Sequence, residues 1–181
     1  MIRLASSSQT RAELLKQAEI EFVQQNVDFY EDGIIASSPK NFVYRATLGK
    51  YKVNLITFGF EDYPLLVADT VVTSQNKILR KAKNIKEARE ILLTQSGSAT
   101  SIITCMIYQS SKMKLIDISS TDYIFDIFDK NDMEEYLLSG EWQGKAGACV
   151  IEGFCKPYIK EARGFESTAM GLNAEVLKRF I

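Results

Sequence analysis

The hydrophobic period of this chain switches repeatedly, and the order of the switches limits the folds open to it. Ile2 to Ala5 reads as a short strand, which the run Ser6-Ser7-Ser8 ends before the helical pattern Ala12, Leu14, Leu15, Ala18 begins. Glu21 to Val27 reads as a second strand, and Ser38-Pro39 opens a helix to about Thr57 with Phe42, Val43, Ala46, Val53 and Leu55 on its buried side. After Tyr63-Pro64 comes a strand through Leu65, Leu66 and Val67. Asn76 and Lys77 turn it back as a hairpin through Ile78 and Leu79 toward Arg80 and Lys81. Asn84 caps a helix over Ile85 to Thr94. Thr100 to Gln109 and Leu115 to Ile127, joined around Ser110-Ser111-Lys112, predict a long antiparallel hairpin. A short helix from Asp129 to Leu138, a strand from Tyr158 to Lys160 and an amphipathic helix from Met170 to Phe180 follow. Helices that separate strands, plus one long hairpin, define an α/β class with a mixed sheet flanked by helices. One domain over 1–181 is expected, with two lobes around a cleft.

One position in this pattern carries a cost. Asp69 stands at the end of the run Leu65, Leu66, Val67 and is followed by Thr70, Val71 and Val72, so a carboxylate is held on stiff strand backbone. An ionised carboxylate is expensive to desolvate, which calls for a cation, a set of hydrogen-bond donors or a water-filled cleft beside it. The blander alternative is an Asp that caps a turn.

Composition removes several kinds of chemistry. The chain has no histidine, so Ser-His and Cys-His nucleophile pairs and His-ligated zinc or iron are excluded. A catalytic metal here is a hard cation held by oxygens, Mg²⁺ or Mn²⁺. A net charge of −1 argues against nonspecific nucleic-acid binding, and no window reaches the ~20 apolar residues of a membrane helix. Cys105, Cys149 and Cys155 match no zinc or redox spacing, so reduced thiols in a cytoplasmic protein are expected.

Four other charged residues accompany Asp69: Arg11 near the first helix N-terminus, Glu31 in an acidic turn with Asp32, Lys50 on the second helix, and Lys81 after the hairpin. Two carboxylates and three cations are what a metal-bound polyphosphate needs: the carboxylates hold the metal, and the cations neutralise the remaining charge. The first helix presents free N–H groups to an anion, with Thr10 and Glu13 at capping-box spacing and Ser8 as the alternative cap.

Several stretches carry a family resemblance. Leu4-Ala5-Ser6-Ser7-Ser8 with Arg11 and Glu13-Leu14-Leu15, then Ala68-Asp69-Thr70-Val71-Val72, Lys81, Ser96-Gly97, Thr104, Lys145-Ala146-Gly147 and Gly171-Leu172 resemble, in order, the motifs of the Maf family of septum-formation-inhibitor-like proteins. The resemblance implies an elongated α/β fold related to the inosine triphosphatase group. It also implies a metal-dependent pyrophosphatase that cuts nucleoside triphosphates, non-canonical or methylated ones included, between the α and β phosphates. By position Asp69 is similar to the family's catalytic aspartate, and Glu31, Lys50, Lys81, Ser8 and Arg11 match its other active-site positions. The chemistry of the residues assigns Asp69, Lys50 and Lys81 to catalysis, Asp69 and Glu31 to the metal, and Ser6, Ser8, Arg11, Thr70 and Glu152 to the substrate. A homodimer is compatible with it. Thr10 and Glu152 depart from the subgroup selective for dTTP and UTP and are similar to the subgroup acting on 7-methyl-GTP, while Ala82, Thr100 and Asn173 depart from residues common in the family. The base preference is therefore open. So is a second class of function, a non-catalytic nucleotide-binding regulator of septum formation.

Overall fold

The computed structural model describes residues 1–31, 33–75 and 77–181. Its strands are β1 (Ile2–Leu4), β2 (Phe22–Gln24), β3 (Leu65–Ser74), β4 (Lys77–Leu79), β5 (Ala99–Gln109), β6 (Lys114–Phe125) and β7 (Ile159–Arg163). They form one open mixed sheet in the order β2-β1-β3-β5-β6-β7, with β4 paired to β3. The helices are α1 (Gln9–Gln17), α2 (Pro39–Phe58), α3 (Ile85–Gln95), α4 (Lys130–Ser139), α5 (Glu166–Met170) and α6 (Ala174–Leu177). The chain divides into two compact units, one of residues 1–70, 103–119 and 165–181, the other of 71–102 and 120–164.

In the first unit β1 pairs in parallel with β2 and with β3, placing Leu4 opposite Gln24 on one side and Leu66 on the other. Side chains alternate between the faces of a strand. Leu66 and Ala68 therefore pack with Ala12, Leu14 and Leu15 of α1 and with Leu172 and Leu177 near the C-terminus. Leu65 and Val67 pack on the opposite face against Tyr51, Leu48 and Leu55 of α2. Leu65, Leu66 and Val67 have no exposed surface, and burial of such side chains contributes about 1.5–3 kcal/mol each. That burial is what holds β3 on course with a carboxylate inside it.

Local signals set most helix ends. Ser38 caps α2 by accepting from the Asn41 N–H, with Pro39 in the first turn; Asn84 caps α3 and Asp129 caps α4 in the same way. Gly140, in the left-handed region at φ 76°, ends α4. In the second unit β3 and β4 form an antiparallel hairpin with Val72 opposite Leu79, and β6 pairs antiparallel with β7. Trp142 is buried, its indole N–H donating to the Leu137 carbonyl.

Six expectations change. Asp69 is the fifth of ten residues in β3 and not its end, because Val71 and Val72 extend the buried run. Ser8 caps α1, since its extended backbone brings its hydroxyl to the Arg11 N–H, and the Thr10–Glu13 spacing is not used. The buried stripe of α2 also takes Tyr51 and Asn54, while Leu55 is only partly buried against the core and Val53 is not fully buried; Asn54 is tolerated there because its amide bonds Lys50 O and both backbone groups of Val27. The single C-terminal helix is two short ones, broken at Gly171 with φ 112° and restarted by the Asn173 cap. Cys149 and Cys155 are joined as a disulfide, with Cα atoms 6.5 Å apart, and Cys105 alone is a free, buried thiol. Lys77 lies in β4, and the expected turn residue Asn76 falls outside the described residues.

Candidate active site

Topology places the candidate site at the carboxyl end of β1. From β1 the chain runs through α1 to β2 on one side, while β3 lies on the other, and α1 and α2 cover opposite faces. In open α/β sheets ligands bind beyond the carboxyl ends of strands at such a reversal. Ser6 to Ser8 follow the end of β1 directly. Because Leu4 is level with Leu66, β3 continues past the end of β1, and Asp69 and Thr70 flank the serine turn.

The hydroxyls of that turn have defined roles. Ser8 Oγ accepts from the Arg11 N–H at 3.3 Å, while Ser6 Oγ accepts from the Ser8 N–H at 3.2 Å and from Arg11 Nη1 at 3.0 Å. A hydroxyl has two acceptor positions and one proton. Ser6 has thus filled both acceptor positions from inside the protein and keeps its proton for an anion. Gln24 on β2 steadies the turn from behind, its amide donating to the carbonyls of Ser6 and Ser8. The first N–H groups of α1 have no acceptor within the helix and add their positive end.

Alternation along β3 sends Asp69 and Thr70 to opposite faces. Asp69 lies on the α2 side, where Lys50 extends the buried stripe of that helix. Lys50 Nζ is 2.7 Å from Asp69 Oδ1 and 2.5 Å from Glu31 Oε1. One ammonium thus stands between two carboxylates, with 12% of the Asp69 side chain and 38% of Glu31 exposed. Gly49 leaves room for the Phe29 ring against α2, and this draws the 25–31 segment, Glu31 included, onto the helix.

Thr70 lies on the α1 side with Arg11. The guanidinium donates through Nε to Gly171 O at 2.7 Å, through Nη1 to Ser6 Oγ and through Nη2 to Thr70 Oγ1 at 3.1 Å. Burial pulls the Arg11 pKa down, against the opposing pull of the Asp69 and Glu31 charges. A guanidinium remains protonated through such a shift.

Lys81 and Glu152 belong to the second unit. Lys81 is exposed and makes an antiparallel bridge to Ala146; beside it the Gly147 N–H donates to Arg80 O, and Gly147 O accepts from the Gln95 amide at 2.7 Å. Gly147 is in the left-handed region at φ 65°, and a Cβ there would lie 2.8 Å from Val72 Cβ. Glu152 is exposed within the ring closed by Cys149 and Cys155.

The Maf-like protein family model matches residues 1–181. The chain belongs to the Maf family. Among the Maf relatives, a nucleoside triphosphate pyrophosphatase of a Nitratiruptor species is 52% identical over 179 residues, covering 98% of this chain and 96% of that protein. Proteins of the same name from Campylobacter jejuni (strain 81-176) and Helicobacter pylori (strain J99) are each 38% identical, covering 100% of both chains in the first case and 96% of this chain and 91% of the relative in the second.

Of the residues expected in a Maf site, the first unit brings together Ser6, Ser8, Arg11 and Thr70 on one side of β3, and Asp69, Lys50 and Glu31 on the other. Gln24, Thr104 and Gly171 join them as partners that the sequence did not point to in these roles. The Glu31–Asp69 pair fits a hard divalent cation: both donors are oxygens, and both already converge on one positive charge, that of Lys50. Among the described residues no group of three or more His, Cys, Asp or Glu side chains is placed to hold a metal, and no helix is long and apolar enough to cross a membrane.

Proposed function

We propose that this chain is a nucleoside triphosphate pyrophosphatase that hydrolyses the bond between the α and β phosphates to give a nucleoside monophosphate and pyrophosphate. The observation that carries the reading is the Lys50 ammonium held between Asp69 and Glu31 beside the serine turn at the carboxyl end of β1. The names of the Maf relatives support it.

In this reading the triphosphate lies against the serine turn. Ser6 and Ser8 donate their hydroxyl protons, the first turn of α1 its N–H groups, and Arg11 its remaining N–H groups to phosphate oxygens. Water attacks the α-phosphorus as the bond to the bridging oxygen breaks, and Asp69 orients that water or accepts its proton. Lys50, with Lys81 from the resemblance, stabilises the charge that develops on the departing pyrophosphate. Asp69 and Glu31 would hold Mg²⁺ or Mn²⁺, which when bound neutralises phosphate charge. Glu152 would accept hydrogen bonds from the base, which favours one with ring N–H and amino groups, such as guanine. Residues 1–181 act as one domain in this account.

Asp69→Asn keeps the size of the side chain and removes its charge. Pyrophosphate release from a panel of canonical and methylated nucleoside triphosphates should fall to background in this variant while its far-UV circular dichroism stays that of the wild type. Wild-type turnover in Asp69→Asn would remove the assignment. The same panel run on Glu152→Gln tests base choice, and an unchanged ratio of guanine to pyrimidine turnover would exclude Glu152 from it.

A further inference from the structure

Behind Arg11 lies a chain of hydroxyls whose proton order can be worked out. Thr104, on β5 and 1% exposed, has its Oγ1 2.7 Å from the Thr168 carbonyl oxygen of α5 and 2.9 Å from Thr70 Oγ1. A carbonyl only accepts, so the single proton of Thr104 goes to Thr168 O. The bond between the two threonines then takes its proton from Thr70. With that proton turned inward, Thr70 faces Arg11 with lone pairs alone, which is what Arg11 Nη2 needs at 3.1 Å. The order is fixed from end to end: Arg11 to Thr70, Thr70 to Thr104, Thr104 to Thr168 O.

The same C-terminal segment holds the guanidinium a second time, through Gly171 O on Nε. The approach is close: a Cβ at Gly171 would lie 3.3 Å from Arg11 Nε and 3.4 Å from Thr70 Oγ1, and its φ of 112° disfavours a side chain as well. Three of the five N–H groups of Arg11 are therefore fixed by Gly171 O, Ser6 Oγ and Thr70 Oγ1, which leaves one on each Nη for a ligand.

We propose that Thr104 is a positioning residue for the phosphate-binding arginine: by taking the proton of Thr70 it holds Thr70 as an acceptor, and so sets the plane in which Arg11 presents its two free N–H groups. The proposal rests on the reading that Arg11 and the serine turn hold the triphosphate. It gives Thr70 a role through Arg11, since the Thr70 proton is committed inward and is not available to a phosphate.

The test is a double-mutant cycle with an independent spectroscopic readout. Thr104→Val keeps the shape of the side chain and removes the acceptor, and kcat/KM for pyrophosphate release should fall about tenfold, the scale of one lost hydrogen bond plus misalignment. Thr104→Ser, which keeps the hydroxyl, should recover to within about twofold. If Thr104 acts through Thr70, the double variant Thr70→Val/Thr104→Val costs no more than Thr70→Val alone. Additive losses would overturn the proposal, as would failure of the serine variant to recover. Nitrogen-15 NMR of the arginine side chains provides the second arm. Slow rotation about the Cζ–Nη bonds of Arg11 in the wild type should become fast in Thr104→Val, and an unchanged Arg11 pattern would refute the coupling. This arm needs no turnover, so it tests the relay even if the wild type releases no pyrophosphate, an outcome that would defeat the functional reading instead.

Discussion

Replacing Lys50 with methionine is expected to exchange a built-in cation for a requirement for an added one. The side chain length is kept and the charge lost, leaving Asp69 and Glu31 facing one another without the ammonium now 2.7 Å and 2.5 Å from them. The Asp69 arm is largely buried, and a hydrogen bond to a charged group in such a setting contributes about 1.5–3 kcal/mol. The Glu31 arm is more than a third exposed on the carboxylate side, and solvent screening reduces it to about 0–1 kcal/mol. Lys50→Met should therefore lose about 1.5–4 kcal/mol in metal-free buffer, read as a lower midpoint in urea denaturation followed by far-UV circular dichroism. Two carboxylates converging on an empty point then form a better divalent site than the wild type has. Mg²⁺ or Mn²⁺ at about ten times its dissociation constant should restore about 1.4 kcal/mol to the variant and less to the wild type. A variant as stable as the wild type without metal would show that the bridge contributes nothing. A destabilised variant that gains no more than the wild type from either ion would refute the convergence of the two carboxylates on one cation site.

Gly147→Ala should cost about 2–4 kcal/mol, the sum of a left-handed backbone and the contact with Val72, and Val72→Ala in the same chain should recover only the contact part; full recovery in urea denaturation would disprove the backbone share. Burial pushes the Cys105 thiol from an ordinary 9.0 up to about 11, so between these values the unfolded chain gives up its proton while the folded chain keeps it. Stability should be unaffected by this group below pH 9 and should fall by up to about 2.7 kcal/mol as pH rises toward 11. Cys105→Ala should show a smaller decline between pH 8 and 10.5, and an equal decline in both proteins would exclude the thiol as its source.

What the sequence disclosed was local. Pro39 after Ser38, Asn84 and Asp129 each announce a helix start within three residues of the bond they make, and the serine run after Ile2 to Ala5 marks the turn at the end of β1. The positions of Asp69, Lys50, Arg11 and Glu31 were legible as charges in an order that resembles Maf. Their pairings were not, because the bonds join residues far apart in the chain: 34 positions separate Thr70 from Thr104, 64 separate Thr104 from Thr168, and 160 separate Arg11 from Gly171. The break in the C-terminal helix was missed for a related reason. Met170 to Phe180 has a helical apolar period, and that period outweighed Gly171, whose backbone is turned to bring its carbonyl to Arg11.

The alternation of β3 also bears on how the gene can change. Asp69 answers to α2 and Thr70 to α1, and the two are neighbours in the chain. A single-codon insertion or deletion between Leu65 and Asp69 would put the residues on its two sides out of phase, so that either Asp69 and Thr70 or the apolar residues before the change face the wrong helix. Length variation within this stretch is therefore restricted to even steps. Point substitutions face no such coupling, so the carboxylate side and the arginine side can drift separately, and a nucleotide specificity assembled on one need not be rebuilt when the other is altered.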